Sequence, residues 1–200
     1  MHSILKNILD HPLLIVYGDP SSFEEQVQRV RRELQDESLS LELDLQAAQR
    51  DSWPATLVEI LAQLGEAVLR TIPEGAESMQ LQVYKRLHLL QNLQRRIRDA
   101  APDEQLVQCL EFAKLVVYPM LATMWQAAPS VTLSMLPGDV ILRWGRELRN
   151  FLQESLLRHF PHGSVRIVVY VAQPEKPRAF FGSDEMHASK QIGFYCVDDA

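Results

Sequence analysis

Two short stretches of this chain leave almost no room for a wet face. Leu13-Leu14-Ile15-Val16-Tyr17 is a continuous apolar run closed by Gly18-Asp19-Pro20, and Val165 to Val171 is interrupted only by Arg166 and is rich in β-branched residues. A strand with one solvated face alternates apolar and polar residues, whereas an unbroken run marks a strand covered on both sides. Such strands belong to sheets with helices on both faces, and the connections then need right-handed crossovers. The expected fold is therefore a three-layer α/β domain with a mostly parallel sheet and flanking helices.

The segments between the two runs fit that plan. Ser22 followed by Glu25 has the form of a capping box, and Phe23, Val27, Val30 and Leu34 recur at helical spacing among charged residues. Leu39, Leu41, Leu43 and Leu45 then alternate with Ser40, Glu42 and Asp44, the period-two pattern of a strand with one wetter face. The order is β-α-β. A second helix is expected after Ser52 as cap and Pro54 in the first turn, with Leu57, Ile60, Leu61, Leu64 and Val68 inward. From about Ser78 to Arg98 a longer helix is expected to carry Leu81, Tyr84, Leu87, Leu90, Leu93 and Ile97 inward, and another begins near Pro102 to Glu104. Leu115 to Met120 reads equally as helix or strand, with Pro119 opposing an uninterrupted element of either kind. A late helix from about Val140 carries Ile141, Trp144, Leu148, Leu152 and Leu156 inward. One domain over residues 1–175 is expected, with a tail over 176–200, containing Phe194 and Tyr195, that packs on the domain or extends it.

Composition narrows the function classes. The 200 residues carry a formal charge of −6 and are 46% hydrophobic, with no apolar run near the roughly 20 residues of a membrane span. The negative balance disfavours nucleic acid, which needs a concentrated basic face. Two cysteines are too few for a disulfide scaffold or a four-thiolate zinc site, and the amino terminus lacks a secretory pattern, so a cytoplasmic protein is expected.

The turn after the first run carries the most information. A strand, a Gly-led turn and a helix form the setting of a phosphate-binding loop, GxxxxGK[ST], whose backbone N–H groups wrap phosphate, whose lysine adds charge and whose hydroxyl binds magnesium. Here the stretch is Gly18-Asp19-Pro20-Ser21-Ser22-Phe23-Glu24-Glu25: Phe23 replaces the second glycine, Glu24 the lysine and Glu25 the hydroxyl. A carboxylate in the lysine position repels polyphosphate. The same residues also make an ordinary strand-to-helix turn, since Gly, Asp, Pro and Ser are common turn and cap residues.

In the order of its elements, Leu13 to Gly18, Leu39 to Leu45, and Leu57 to Gly65 ending in Leu-Gly, the chain resembles small STAND-like domains, the signal-transduction P-loop ATPases and their inactive relatives. The resemblance implies a degenerate P-loop NTPase-like fold without turnover. Gly18, Ser22, Phe23, Glu24 and Glu25 would mark the altered loop, and the Leu115 to Met120 run lacks a terminal acid to serve as the second metal-associated motif. It further implies a non-catalytic adaptor or sensor that recognises a partner protein in bacterial defence or signalling, with no cofactor. The alternative is an enzyme or nucleotide-binding protein whose site the residues do not announce.

Several other residues invite a role. Lys85, Arg86, Arg95, Arg96 and Arg98 form the most basic region, read first as a solvated face and second as a contact for an acidic partner. Met120, Met124 and Trp125, with Met135, would line an adaptable apolar groove for a partner, or a methionine-containing core. His159 and His162 read as caps at a helix end, since Pro161 spoils a regular His-x-x-His display of a metal pair. Cys109 reads as a buried inert thiol and Cys196 as packed in a terminal extended segment; pairing either with His88 or His187 has no local signature. A homo-oligomer stays open.

Overall fold

The apolar runs become the interior of a parallel sheet. The computed structural model describes residues 11–35, 38–72, 76–119, 121–122, 130–137, 143–152, 157–160, 164–177 and 192–197. Its contacts divide the chain into two compact units, residues 1–46 with 129–200, and residues 47–128. Where the sequence suggests one domain over 1–175, the chain places a helical unit between the second and third strands of a sheet unit.

In the sheet unit β1 (Leu13–Tyr17) is followed by α1 (Pro20–Gln35), β2 (Leu39–Asp44), β3 (Val131–Leu136), the short α-helix Gly145–Asn150, β4 (Val165–Val171) and β5 (Ile192–Cys196). The five strands lie in the order β2-β3-β4-β1-β5 and every neighbouring pair is parallel. The tail thus contributes an edge strand, with Leu13 opposite Ile192 and Tyr17 opposite Cys196. Gly193 is needed there: a Cβ at this position would lie 2.5 Å from His11 Cδ2 and 2.8 Å from Leu14 Cδ1.

The register sorts the side chains into two unlike faces. One presents Leu13, Ile15, Ile167, Val169, Leu133, Met135, Leu41 and Leu43, all at most 1% exposed. The other presents Leu14, Val16, Val168 and Tyr170, which cluster with Phe23, Val27, Val30 and Leu34 of α1, but it also carries Thr132, Ser134 and Arg166. The chain from β1 travels through α1 to the far edge at β2, and later connections step back in the opposite direction. Right-handed crossovers therefore put α1 on one face and the β3 to β4 crossover, with buried Leu148 and Leu152, on the other. An α/β sheet flanked by helices is what the two continuous runs demand.

β3 has no counterpart in the sequence reading. Its Met135 is 1% exposed within the sheet, which removes it from any groove.

The helical unit contains α3 (Trp53–Thr71), α4 (Glu77–Asp99) and α5 (Pro102–Phe112); the turn α2 (Leu45–Ala48) follows β2 in the chain and leads into this unit, and the helix Gly145–Asn150 of the sheet unit is α6. Ser52 caps α3 as expected: its Oγ accepts the Ala55 N–H at 3.4 Å, and Leu57, Ile60, Leu61, Leu64 and Val68 are buried. In α4 the expectation is overturned at its start, where Leu81 and Tyr84 are 54% and 59% exposed and Val83 is the buried residue. Steps of three residues turn the helix by only about 300°, so a stripe built on successive i+3 positions winds round the axis. Its first members consequently fall outside. Leu115 to Pro119 resolves as helix: α5 continues into a π-helical segment, Ala113–Val117, with Tyr118 and Pro119 still helical. Pro119 has no N–H to give the Leu115 carbonyl, and Arg86 Nη1 donates to that oxygen instead, at 2.5 Å. Among the described residues, no helix is long and apolar enough to cross a membrane.

Candidate functional site

In open α/β sheets, ligands settle outside the carboxyl ends of the strands, where neighbouring strands send the chain in opposite directions. Here that point lies beside β1: its chain leaves toward β2, whereas the chain from its neighbour β4 leads to β5 on the other side. The segment at this position is Gly18-Asp19-Pro20.

Its geometry is a tight helix cap. Only Gly18 and Asp19 separate β1 from α1. Asp19 Oδ1 accepts both the Ser21 N–H at 2.8 Å and the Ser21 hydroxyl at 2.6 Å, and the Asp19 carbonyl accepts the Ser22 N–H at 3.2 Å. With Pro20 as first helical residue, Ser21 is second, so Asp19 is the N-cap satisfying an orphan donor of the first turn. The Ser21 hydroxyl, then its N–H, hold the Asp19 carboxyl below its ordinary range. This corrects the capping box expected at Ser22 and Glu25: Ser22 lies inside the first turn, and the cap stands three residues earlier. Both are capping residue types, and the Pro20 at the first helical position was the signal that decides between them.

The remaining positions of the altered loop are helical. Phe23 points inward at 8% exposure and joins the α1 cluster on the sheet, while Glu24 and Glu25 face solvent. A phosphate wrap needs several consecutive loop N–H groups turned toward one centre. Here Pro20 has none, Ser21 and Ser22 donate to Asp19, and the positive end of the helix faces a carboxylate. The Leu115 to Met120 run, where the second metal-associated motif would be expected, is helical through Pro119 and so is not the end of a sheet strand; Met120 lies outside the described residues.

A second polar locus lies between α1 and the sheet. Ser38 Oγ and Thr132 Oγ1 are 2.6 Å apart, Arg31 pairs with Glu42, and Ser134 and Tyr170 are fully buried. Burial pushes the Tyr170 hydroxyl up to about 12, with the nearby Ser134 hydroxyl and the Arg31 charge partly opposing it. A phenol so placed keeps its proton at neutral pH. Its role is internal packing, and the sequence signal for it, hydroxyls alternating with Val131, Leu133 and Met135, is a period-two pattern.

The thiols divide as expected. Cys109 is buried, its Sγ 3.6 Å from the Pro54 carbonyl, and burial pushes it up to about 12; Cys196 is half-buried on β5. His88 is exposed on α4. His162, His187, Met120, Met124 and Trp125 lie outside the described residues, as does the side chain of His159. Among the described residues, no group of three or more His, Cys, Asp or Glu could hold a metal ion.

Of the basic residues, Lys85, Arg95 and Arg96 are exposed on α4, and Arg86 is half-buried and engaged with Leu115. Arg98 lies on the same helix. These cations share one helix with Leu81 and Tyr84, which helical spacing places in the core but which are exposed. Comparison of the chain with protein families, curated proteins and solved structures finds no match.

Proposed function

We propose that this protein is a non-catalytic recognition module, an inactive STAND-like α/β unit that serves as adaptor or sensor for a partner protein, of the kind used in bacterial defence and signalling. The observation that carries the reading is the Asp19 cap. At the sheet's ligand-binding position the helix N-terminus is occupied by the protein's own carboxylate, with two hydrogen bonds from Ser21, and Glu24 and Glu25 follow in the next turn. An incoming phosphate would have to displace one negative charge and approach two more, with no lysine in the loop to compensate. The exposed apolar and basic residues of α4 supply what an adaptor requires, a surface available to another protein.

The test is an equilibrium titration with Mg·ATP and Mg·GTP, with phosphate release measured in parallel. The proposal expects no saturable binding below millimolar concentration and no hydrolysis above buffer. Hydrolysis abolished by changes within Gly18 to Glu25 would show a working nucleotide site and end the inactive reading.

A further inference from the structure

The long helix α4 departs from the ordinary pattern of a packed surface helix in a specific way. Its buried direction is marked by Val83, 1% exposed, and the opposite sector holds Leu81, Tyr84 and Leu89, each more than half exposed. At roughly 100° per residue, Lys85, His88, Arg95 and Arg96 fall within about 80° of Leu81 on that same sector. All four are exposed. The apolar group spans about 12 Å of the helix with Lys85 and His88 among it, and the arginine pair stands on the same sector about 9 Å farther on. The helix bears five cations, Lys85, Arg86, Arg95, Arg96 and Arg98, against Glu77 and Asp99, a net of +3 on a chain of −6; on the exposed sector itself Lys85, Arg95 and Arg96 stand with Glu77 and Asp99, a net of +1.

We propose that this face of α4 docks an acidic amphipathic helix of the partner protein, with apolar side chains seated on Leu81, Tyr84 and Leu89 and carboxylates reaching Arg95 and Arg96. The inference rests on the recognition reading above and names the partner's chemistry. Helix dipole stabilisation accounts for cations in the last turn, but not for Lys85 or for three large exposed apolar residues. A lipid surface is disfavoured by the layout, because interfacial helices put apolar and cationic residues on opposite faces. A second copy is disfavoured by charge. Parallel pairing of two α4 faces sets arginine against arginine, and antiparallel pairing sets the arginines against Leu81 and Tyr84. A rod with an apolar part and an acidic part satisfies both halves at once.

The experiment uses the full chain and two fluorescein-labelled synthetic helical peptides of equal length and identical apolar face, one flanked by Glu and one by Lys, read by anisotropy. The Glu peptide should bind about tenfold more tightly than the Lys peptide at low salt and lose that advantage at high salt. Leu81→Ser with Tyr84→Ser should abolish binding, and Arg95→Glu with Arg96→Glu should invert the preference. Both pairs are exposed, and circular dichroism confirms that the variants fold. Equal binding of the two peptides, no binding of the Glu peptide, binding of α4 to anionic phosphatidylserine vesicles in its place, or a change of sedimentation mass in the Leu81/Tyr84 variant would each overturn the proposal. None of these outcomes bears on nucleotide binding, so failure here is separable from failure of the inactive reading.

Discussion

Restoring the phosphate-loop signature should damage the protein without creating a nucleotide site. The decisive position is Phe23, which the signature would replace with glycine and which here fills the space between α1 and the sheet at 8% exposure beside Leu14, Val16, Val168 and Tyr170. Removing a buried phenylalanine side chain to alanine costs about 3–5 kcal/mol, through lost burial and the cavity left behind. Glycine in place of alanine within a helix adds about 1 kcal/mol. The expected loss, about 4–6 kcal/mol, is a large part of the roughly 5–15 kcal/mol that holds a domain folded. Urea unfolding of Phe23→Ala and Phe23→Gly, followed by circular dichroism, should show this loss as a midpoint lowered by about 2 M or more, given slopes of about 2 kcal/mol/M. The exposed control Glu24→Lys should stay within about 0.5 kcal/mol of the parent. The triple change Phe23→Gly, Glu24→Lys, Glu25→Thr should still fail to bind Mg·ATP. A cost below about 1 kcal/mol for Phe23→Gly would mean that Phe23 is not a core residue and that α1 does not begin at Pro20. Nucleotide binding by the triple variant would refute the argument from loop geometry.

Four further outcomes follow from the same contacts. With its thiol pushed up to about 12 by burial, Cys109 is protonated at neutral pH, so iodoacetamide should label Cys196 in the folded protein and reach Cys109 only on unfolding, as peptide mapping would show. Arg86→Met should cost about 1 kcal/mol, and less in a Pro119→Ala background where the backbone again offers a donor to Leu115; a double-mutant cycle without coupling would refute that link. Gly193→Ala should destabilise the sheet unit by about 1–3 kcal/mol, because the new Cβ meets His11 and Leu14, and an unchanged thermal midpoint would place β5 elsewhere. Because Asp19 titrates below its ordinary range when folded, its cap contributes fully above the unfolded value and is lost as pH falls below about 4 toward the folded value; the stability gap between the parent and Asp19→Ala should narrow in that window.

How far the sequence announces this structure depends on what each signal measures. β1 and β4 are legible because burial on both faces leaves an unbroken apolar run, and β2 because an edge strand alternates, Leu41 and Leu43 inward and Glu42 and Asp44 outward. β3 hides because its second face carries Thr132 and Ser134, hydroxyl residues that are fully buried but read as polar. The exposed face of α4 hides for the opposite reason: Leu81 and Tyr84 are apolar and so read as core, and only the phase of Val83 shows that the buried side lies opposite. The candidate loop was found from its types but not from its shape. Asp19 and Ser22 can each cap a helix, and choosing between them moves the start of α1 by three residues. That shift is the difference between a loop with altered chemistry and a helix with no loop.

Closure of the α1 N-terminus by its own carboxylate can be read from the amide shifts of 15N-labelled protein during titration with Mg·ATP and with pyrophosphate. The Gly18 to Glu25 amides should stay unmoved through millimolar ligand. Saturable shifts concentrated at Ser21, Ser22 and Phe23 would contradict that closure.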